Sequence, residues 1–161
     1  MVSAELLKKY DFFSGLTDAQ LQKLASIATE ESHDAGSQIY KIGDTAKKLY
    51  VVEEGKMVMV MDSYMGPSRP PLQVNVDFVT KGDAMGWSAL VEPYEYTLGA
   101  LCIEKSKLIA FDAHALRKTV HDDPVLGVKI MESIAKVIAG RLNHTRIVLV
   151  GERGLSALNE Y

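Results

Sequence analysis

The sequence predicts a mainly β fold, an antiparallel β-sandwich or barrel with helices at both ends. Short strand-like segments fill the middle of the chain, glycine or charged turns separate them, and helical periodicity is confined to the two ends. With 161 residues, 47% of them hydrophobic, the chain can bury one core, and we expect a single domain over 1–161. Its expected parts are N-terminal helices, a β region, C-terminal helices and a tail, at 1–33, 34–112, 113–150 and 151–161.

Composition argues against several classes of protein. Eighteen basic residues face twenty-one acidic ones, and no basic run is longer than two residues, so we do not expect direct DNA binding. No apolar stretch approaches the roughly 18 residues that span a bilayer, and no hydrophobic signal segment follows Lys8 and Lys9. We therefore expect a cytoplasmic protein without a membrane partner. The single cysteine, Cys102, excludes an intramolecular disulfide and an iron–sulfur cluster within one chain.

The N-terminal segment is predicted to be helical. Leu6 and Leu7 allow one or two turns before a break at 11–16. Thr17-Asp18-Ala19-Gln20 matches the capping box, in which a hydroxyl and an amide three residues later satisfy two backbone N–H groups. A helix over about 18–29 should follow, with one buried stripe formed by Leu21, Leu24, Ala25, Ile27 and Ala28.

Strand-like periodicity begins at Asp34-Ala35-Gly36. The segments that follow are short, rich in β-branched or aromatic residues and bounded by turns, at 37–42, 49–53, 56–61, 72–80, 96–104 and 106–111. Glu54-Gly55 predicts a tight hairpin, and the stretch 62–71, which contains three prolines, predicts a longer and stiffer loop. These segments are the basis of the β prediction.

Two helices are predicted after the strands. Asp112 is a candidate N-cap for a helix over 113–120, and Asp122-Asp123-Pro124 begins a second helix that continues to about Val150, where Gly151 and Gly154 are expected to end it. This helix carries two partly apolar stripes: Val128, Met131, Ile134, Ala135, Ile138, Leu142 and Thr145 on one, and Val125, Ile130, Val137, Arg141 and Val148 on the other. One small barrel cannot cover both, so we expect a homodimer through 124–150, with coverage by the N-terminal helices as the alternative.

The stretch 81–97 is the candidate functional site. A strand-like segment ends at the turn Lys81-Gly82-Asp83, a short helix-compatible piece runs over 87–91, and another strand-like segment begins at Tyr96. This order would place free backbone N–H groups at 86–90, where an anion could bind.

These pieces together resemble the cyclic nucleotide-binding domain family. The resemblance spans about 12–149 and rests on Phe13-Ser14-Gly15-Leu16-Thr17, the run 36–43 with Gly43-Asp44, the run 49–55, Gly82-Asp83, Gly86, Ala89-Leu90 and Asp123-Pro124. It implies an eight-stranded antiparallel β-roll of the double-stranded β-helix or jelly-roll type, with an N-terminal helix and a long C-terminal helix that commonly forms the dimer interface. It also implies that 86–97 is the phosphate-binding cassette.

Two positions of this cassette depart from the family's pattern. Members that bind cyclic nucleotides carry a glutamate directly after the glycine, which binds the ribose 2′-hydroxyl, and an arginine about ten residues on, which pairs with the phosphate; here these positions hold Trp87 and Tyr96. An indole accepts no hydrogen bond, and a neutral phenol cannot replace a bidentate guanidinium. The backbone amides of Ser88 and Ala89, and the hydroxyls of Ser88 and Thr97, would recover part of the loss.

The sequence therefore supports two hypotheses for function. In the first, the roll is a non-catalytic sensor that binds a small effector other than cyclic AMP or cyclic GMP, or a nucleotide only weakly, through Gly86, Trp87, Ser88, Ala89, Tyr96 and Thr97, with Thr145 from the long helix. In the second, Trp87 and Tyr96 fill the pocket and leave a dimeric scaffold without a ligand. About a dozen residues follow Leu149, too few for a helix-turn-helix unit, so we expect any output to run through a partner protein or through the dimer itself.

An enzyme or a metalloprotein is not expected. Gly86-Trp87-Ser88-Ala89-Leu90 begins like a nucleophile elbow but lacks its second glycine. The four histidines, at 33, 114, 121 and 144, show no metal-ligand spacing. His144 lies on the long helix, from which haem-binding relatives take an axial ligand, but no second ligand is evident. We therefore expect no metal and no cofactor.

Overall fold

The protein is described by a computed structural model that covers residues 1–160. The N-terminal helices are α1 (Ala4–Leu7), a 3₁₀ turn (Asp11–Phe13) and α2 (Asp18–Ser26). The strands are β1 (Ala28–His33), β2 (Gln38–Tyr40), β3 (Lys48–Glu54), β4 (Lys56–Ser63), β5 (Leu72–Thr80), β6 (Ala84–Met85), β7 (Gly99–Cys102) and β8 (Ser106–Asp112). A second 3₁₀ turn (Trp87–Ala89) lies between β6 and β7, and α3 (Ala113–Asp122) and α4 (Pro124–Asn159) follow the last strand.

The eight strands form two antiparallel sheets of four strands each. One sheet has the order β1-β8-β3-β6 and the other the order β2-β7-β4-β5. Because chain neighbours such as β2 and β3 lie in different sheets, the strands wind around a common core. Its largest fully buried side chains include Phe111, Leu49, Met57 and Ile109. The predicted eight-stranded β-roll with flanking helices is confirmed.

Helix starts follow the predicted capping residues. The Thr17 hydroxyl accepts the Gln20 N–H at 3.2 Å, and the Gln20 side chain accepts the Thr17 N–H at 3.0 Å, which completes the capping box of α2. Asp112 caps α3 at the Ala115 N–H at 2.8 Å, and Asp123 caps α4 at the Leu126 N–H at 3.1 Å. Local sequence therefore sets where these three helices begin.

Two strands were missed by the sequence prediction, and one was drawn too long. The β region was predicted to begin at residue 34. In the structure it begins with β1 at Ala28–His33, which pairs with β8 from Ala28↔Phe111 to His33↔Ser106. β1 is a polar edge strand, so it lacks the apolar alternation that predicts a strand. The two-residue β6 is too short to be recognised by its pattern. The segment predicted over 96–104 is a strand only at Gly99–Cys102.

The long C-terminal helix is longer than predicted. Gly151 and Gly154 were expected to end it, and 151–161 to form a tail, but α4 continues to Asn159; Tyr161 lies outside the described residues. Glycine inside a helix costs only about 1 kcal/mol relative to alanine, so two glycines among good helix formers do not terminate it.

The N-terminal half of α4 docks on the roll. Leu126, Ile130 and Ile134 are each no more than 1% exposed, and the Ser133 hydroxyl donates to the Phe12 carbonyl at 2.7 Å. The N-terminal 3₁₀ turn therefore packs on one face of α4, but Val125 and Val148 of the second predicted stripe stay exposed, so the N-terminal segment does not cover that stripe. Large apolar side chains remain exposed elsewhere on the helix, at Val125, Val128, Met131, Leu142, Ile147, Val148, Leu149, Val150, Leu155 and Leu158.

Candidate functional site

The cassette begins at a glycine turn directly after β6. Gly86 has φ +79°, in the left-handed region that favours glycine. A Cβ at this position would lie 2.9 Å from the Lys48 carbonyl oxygen and 3.2 Å from Cε1 of Tyr96. Only glycine therefore allows the turn to pack this closely against β3 and the Tyr96 ring.

Two of the five backbone N–H groups at 86–90 are used within the turn itself. The Ala89 N–H donates to the Gly86 carbonyl and the Leu90 N–H to the Trp87 carbonyl, both at 3.0 Å. The cluster of free N–H groups expected at 86–90 is therefore smaller than predicted, because the 3₁₀ turn uses the amides of Ala89 and Leu90.

Arg117 of α3 fixes the outer side of the cassette. Its Nη1 donates to the Ala89 carbonyl at 2.7 Å, and its guanidinium lies 4.3 Å from the centroid of the Tyr94 ring. This cation–π contact and hydrogen bond join the cassette to the helices that follow the roll.

Tyr96 is packed into the wall of the roll. It is 5% exposed, and its ring stacks on Tyr40 with centroids 3.7 Å apart and planes 12° apart. Its hydroxyl donates to the Lys48 carbonyl at 2.7 Å and accepts the Lys48 N–H at 3.1 Å. Burial raises the pKa of Tyr96, so the phenol is neutral at physiological pH.

A polar cluster outside the roll holds the strand that binds Tyr96. The Lys48 ammonium pairs with Glu31, which also contacts His33 Nε2 at 3.1 Å. Burial alone would raise the pKa of Glu31, but the hydrogen bonds from Lys48 and His33 outweigh it and hold the pKa below its usual value. Lys48 thus contacts Glu31 through its ammonium and Tyr96 through its backbone.

A cavity of about 210 Å³ lies between the cassette and α4. It brings together five of the six predicted site residues and the helix residue proposed with them: Gly86, Trp87, Ser88, Tyr96, Thr97 and Thr145. Ala89, the sixth, is fully buried and does not line the cavity, because its side chain packs into the core.

The sequence prediction missed six further residues that line the cavity: Tyr40, Met59, Leu98, Ile138, Arg141 and Leu142. Arg141 is the one ionisable side chain of opposite sign to a phosphate among the described lining residues. Its position could have been anticipated, since it lies three residues after Ile138 and four before Thr145 on one helix face. Tyr40 could not, because strand periodicity does not reveal which aromatic residues stack.

The described residues form neither a metal-binding cluster nor a membrane-spanning helix. Among residues 1–160, no group of three His, Cys, Asp or Glu side chains is arranged to hold a metal ion. Over the same range, no helix combines the length and apolar character needed for a bilayer crossing.

The fold and the cassette define a β-roll ligand-binding domain of the regulatory kind. A family model described as the cyclic nucleotide-binding domain matches residues 30–123. The chain belongs to the cyclic nucleotide-binding domain family, as its sequence motifs indicated.

Three similar proteins place the chain within this family. A protein of Geobacter metallireducens, named as a cyclic nucleotide-binding protein, is 31% identical with a TM-score of 0.78, and the match covers 88% of this chain and 99% of that one. The type II regulatory subunit of the Drosophila melanogaster cAMP-dependent protein kinase is 31% identical over 87 residues. The match covers 54% of this chain and 22% of that subunit's length. The regulatory domain of Toxoplasma gondii PKA, crystallised with cAMP, shares the fold at 20% identity with a TM-score of 0.64, covering 87% of this chain and 48% of that one.

Proposed function

We propose that this chain is a non-catalytic, cytoplasmic sensor domain that binds a small effector in the β-roll and signals through α4. The effector is one other than cyclic AMP or cyclic GMP, or a nucleotide held weakly. One observation carries this proposal: the cavity between the cassette and α4 is lined by Trp87 and Tyr96, the two residues that depart from the family's pattern.

The chemistry of these two residues argues against tight binding of a cyclic phosphate. By the family resemblance, the positions of Trp87 and Tyr96 would hold a glutamate for the ribose and an arginine for the phosphate. The Tyr96 hydroxyl is already engaged by the Lys48 backbone. A buried phosphate without its cation would lose about 3 to 5 kcal/mol, a hundred- to several-thousand-fold in affinity.

The residues proposed to contact the effector occupy the two sides of the cavity. Trp87 offers a partly buried aromatic face, while Tyr96 is packed flat against Tyr40 and contributes a ring edge. The remaining proposed contacts are Gly86, Ser88 and Thr97, with Thr145 at the rim. Ala89, predicted as a contact, is proposed instead to support the turn from the core.

Signalling through α4 is proposed because the helix forms one wall of the cavity. Its exposed apolar residues Val128, Met131, Leu142 and Leu149 recur at helical spacing and support a homodimer through 124–150. With no basic run longer than two, we propose a protein output partner rather than direct DNA contact.

A second candidate is a dimeric scaffold without a ligand. The burial and stacking of Tyr96 favour it, because this ring occupies space beside Gly86 that a ligand would otherwise use. The two candidates differ in whether anything enters the remaining cavity.

Native mass spectrometry of the purified protein tests the proposal, followed by titration of any released molecule against the fluorescence of Trp87. We expect a bound small molecule that quenches this single tryptophan, while cyclic AMP at up to about 100 µM leaves the melting temperature unchanged. Thr145→Phe, which blocks the cavity rim, should abolish quenching, and Asn143→Phe, beside it but outside the lining, should not.

No bound molecule together with equal fluorescence in both variants would support the scaffold instead. A cyclic AMP-induced shift of several degrees would overturn the argument from Trp87 and Tyr96.

A further inference from the structure

The charge in the cavity comes from the helix. Among the described residues that line it, Arg141 of α4 is the one charged side chain, and the cassette contributes aromatic rings, hydroxyls and glycine. The cassette position that would carry an arginine by resemblance holds Tyr96 instead. The cation of this cavity therefore lies on α4, at Arg141, and not at the cassette position of Tyr96, where the family's pattern has an arginine.

The guanidinium of Arg141 is only partly occupied. Nη1 lies 3.3 Å from Oδ2 of Asp77 on β5, and Nη2 donates to the Ala84 carbonyl at 3.0 Å. A guanidinium has five N–H donors, so these two contacts leave three for another acceptor. The side chain is 18% exposed, which makes its charge weakly screened by solvent.

Arg141 also faces two cavities. One is the cassette cavity, and the other, about 220 Å³, lies between α4 and β5 and includes Asp77, Lys136 and Gly140 in its lining. The pair with Asp77 thus sits at the boundary between the two spaces.

The field of Arg141 reaches the cassette. Burial raises the pKa of Tyr40 and the neighbouring Tyr96 adds to this rise, whereas Arg141 and the Gly86 N–H lower it. Tyr40 and Arg141 line the same cavity, so an anion held by the guanidinium would bind close to the Tyr40 ring.

We propose that the effector carries an anionic oxygen group, a carboxylate or a phosphate, that binds Arg141 in exchange for Asp77. This inference rests on the proposed function, since it names the chemistry of the effector for the same cavity. A carboxylate and a phosphate both match the geometry of a guanidinium fork, so both belong to the class. Asp77 competes with the effector, and its release on binding loosens a contact between α4 and β5.

Asp77 can lose its ion pair with Arg141 because its carboxylate keeps two other contacts. Oδ1 of Asp77 accepts the Phe78 N–H at 2.8 Å and lies 3.9 Å from Nε2 of His144. Its side chain is 26% exposed, so water can solvate the carboxylate after the exchange.

The test compares two variants with opposite expected effects. Asp77→Asn removes the competing charge but keeps an oxygen for the Phe78 N–H, and Arg141→Gln removes the cation. The probes are cyclic AMP and adenosine at about 1 mM, which share a base and a ribose but differ in the phosphate, and the readout is the shift in melting temperature with the affinity derived from it. Asp77→Asn should bind cyclic AMP roughly tenfold more tightly than the wild type, and Arg141→Gln should show no preference for cyclic AMP over adenosine.

Arg146→Gln is the matched control, since Arg146 is an exposed arginine on the same helix outside the cavity lining. It should behave as the wild type. If Arg141 had only a structural role, Arg141→Gln would lower the melting temperature without changing the ratio of the two affinities. An unchanged ratio in either Asp77→Asn or Arg141→Gln overturns the inference. The proposed function would survive that result if a copurified molecule still quenched Trp87.

Discussion

The two walls of the cavity use their polar groups differently. On the cassette wall, the Ala89 amide and the Tyr96 hydroxyl are both satisfied within the protein. On the helix wall, Arg141 keeps unused donors, and Leu142 and Thr145 beside it are exposed. The Tyr96 hydroxyl of the cassette wall is thus unavailable to a ligand, whereas Arg141 of the helix wall keeps donors for one.

This difference separates shape recognition from charge recognition. The cassette is held by Arg117 on one side and by the Lys48 backbone on the other, so it presents a fixed aromatic surface. The helix wall is held near the cavity by Arg141, whose partner Asp77 is itself partly exposed. Under the proposed function, a ligand on the cassette wall would act on α4 through Arg141, which contacts both the cavity and Asp77 of β5.

Restoring charge to the cassette wall should give the largest effect. In Trp87→Glu/Tyr96→Arg, the glutamate can accept from a ribose hydroxyl and the arginine can pair with a phosphate. We expect affinity for cyclic AMP, measured by isothermal titration calorimetry, to rise about a hundredfold or more.

The control for this double variant is Trp87→Glu/Tyr96→Leu, which also removes the Tyr40–Tyr96 stack but adds no cation. Similar affinities in the two proteins, both folded by circular dichroism, would show that space rather than charge limits cyclic AMP binding in the native cavity.

Substituting the glycine at the start of the cassette tests how rigid that wall is. Gly86→Ala and Gly43→Ala both place a side chain at positive φ, +79° and +84°, which costs about 1–2 kcal/mol. A Cβ at 86 also meets the Lys48 carbonyl at 2.9 Å, whereas nothing lies within 4 Å of one at 43. Gly86→Ala should therefore lower the free energy of unfolding in urea by about 1–3 kcal/mol more than Gly43→Ala. Equal losses would mean that the cassette can move away from β3.

The sequence was sufficient to predict those features that local chemistry determines. Thr17, Asp112 and Asp123 cap the predicted helices because capping depends on residues a few positions apart. The family resemblance placed the start of the cassette at Gly86, and the left-handed turn there explains why this position is glycine. Five of the six predicted site residues consequently meet at one cavity.

Features that depend on tertiary contacts were not predictable in the same way. β1 is a strand because its backbone pairs with β8, although its own composition is polar. Tyr96 stacks on Tyr40, which is 56 positions away in the chain. The ion pair of Arg141 with Asp77 joins a helix to a strand, and no local pattern specifies which acidic residue of the chain it meets.

The smallest expected effect concerns the pH dependence of the contacts behind the cassette wall. The pKa of Glu31 is held below its ordinary 4.5, since the hydrogen bonds from Lys48 and His33 outweigh the effect of burial. A carboxyl with a lowered pKa stabilises the fold above its unfolded-state pKa, and this stabilisation is lost as the pH falls through the lower folded-state value. Glu31→Gln cannot titrate, so its melting temperature should lie below that of the wild type at about pH 7 and approach it at about pH 3.

Glu104→Gln is the matched control, because Glu104 is exposed and forms no ion pair among the described residues. A gap between wild type and Glu31→Gln that stays constant from about pH 7 to pH 3 would show that the Lys48 pair does not stabilise the fold. If the gap instead closes as expected while Trp87 fluorescence stays unchanged, Glu31 stabilises β1 and β3 without setting the position of the cassette. A change in Trp87 fluorescence over the same pH range would link the Glu31–Lys48 pair to the cassette wall, because the Lys48 backbone holds the Tyr96 hydroxyl.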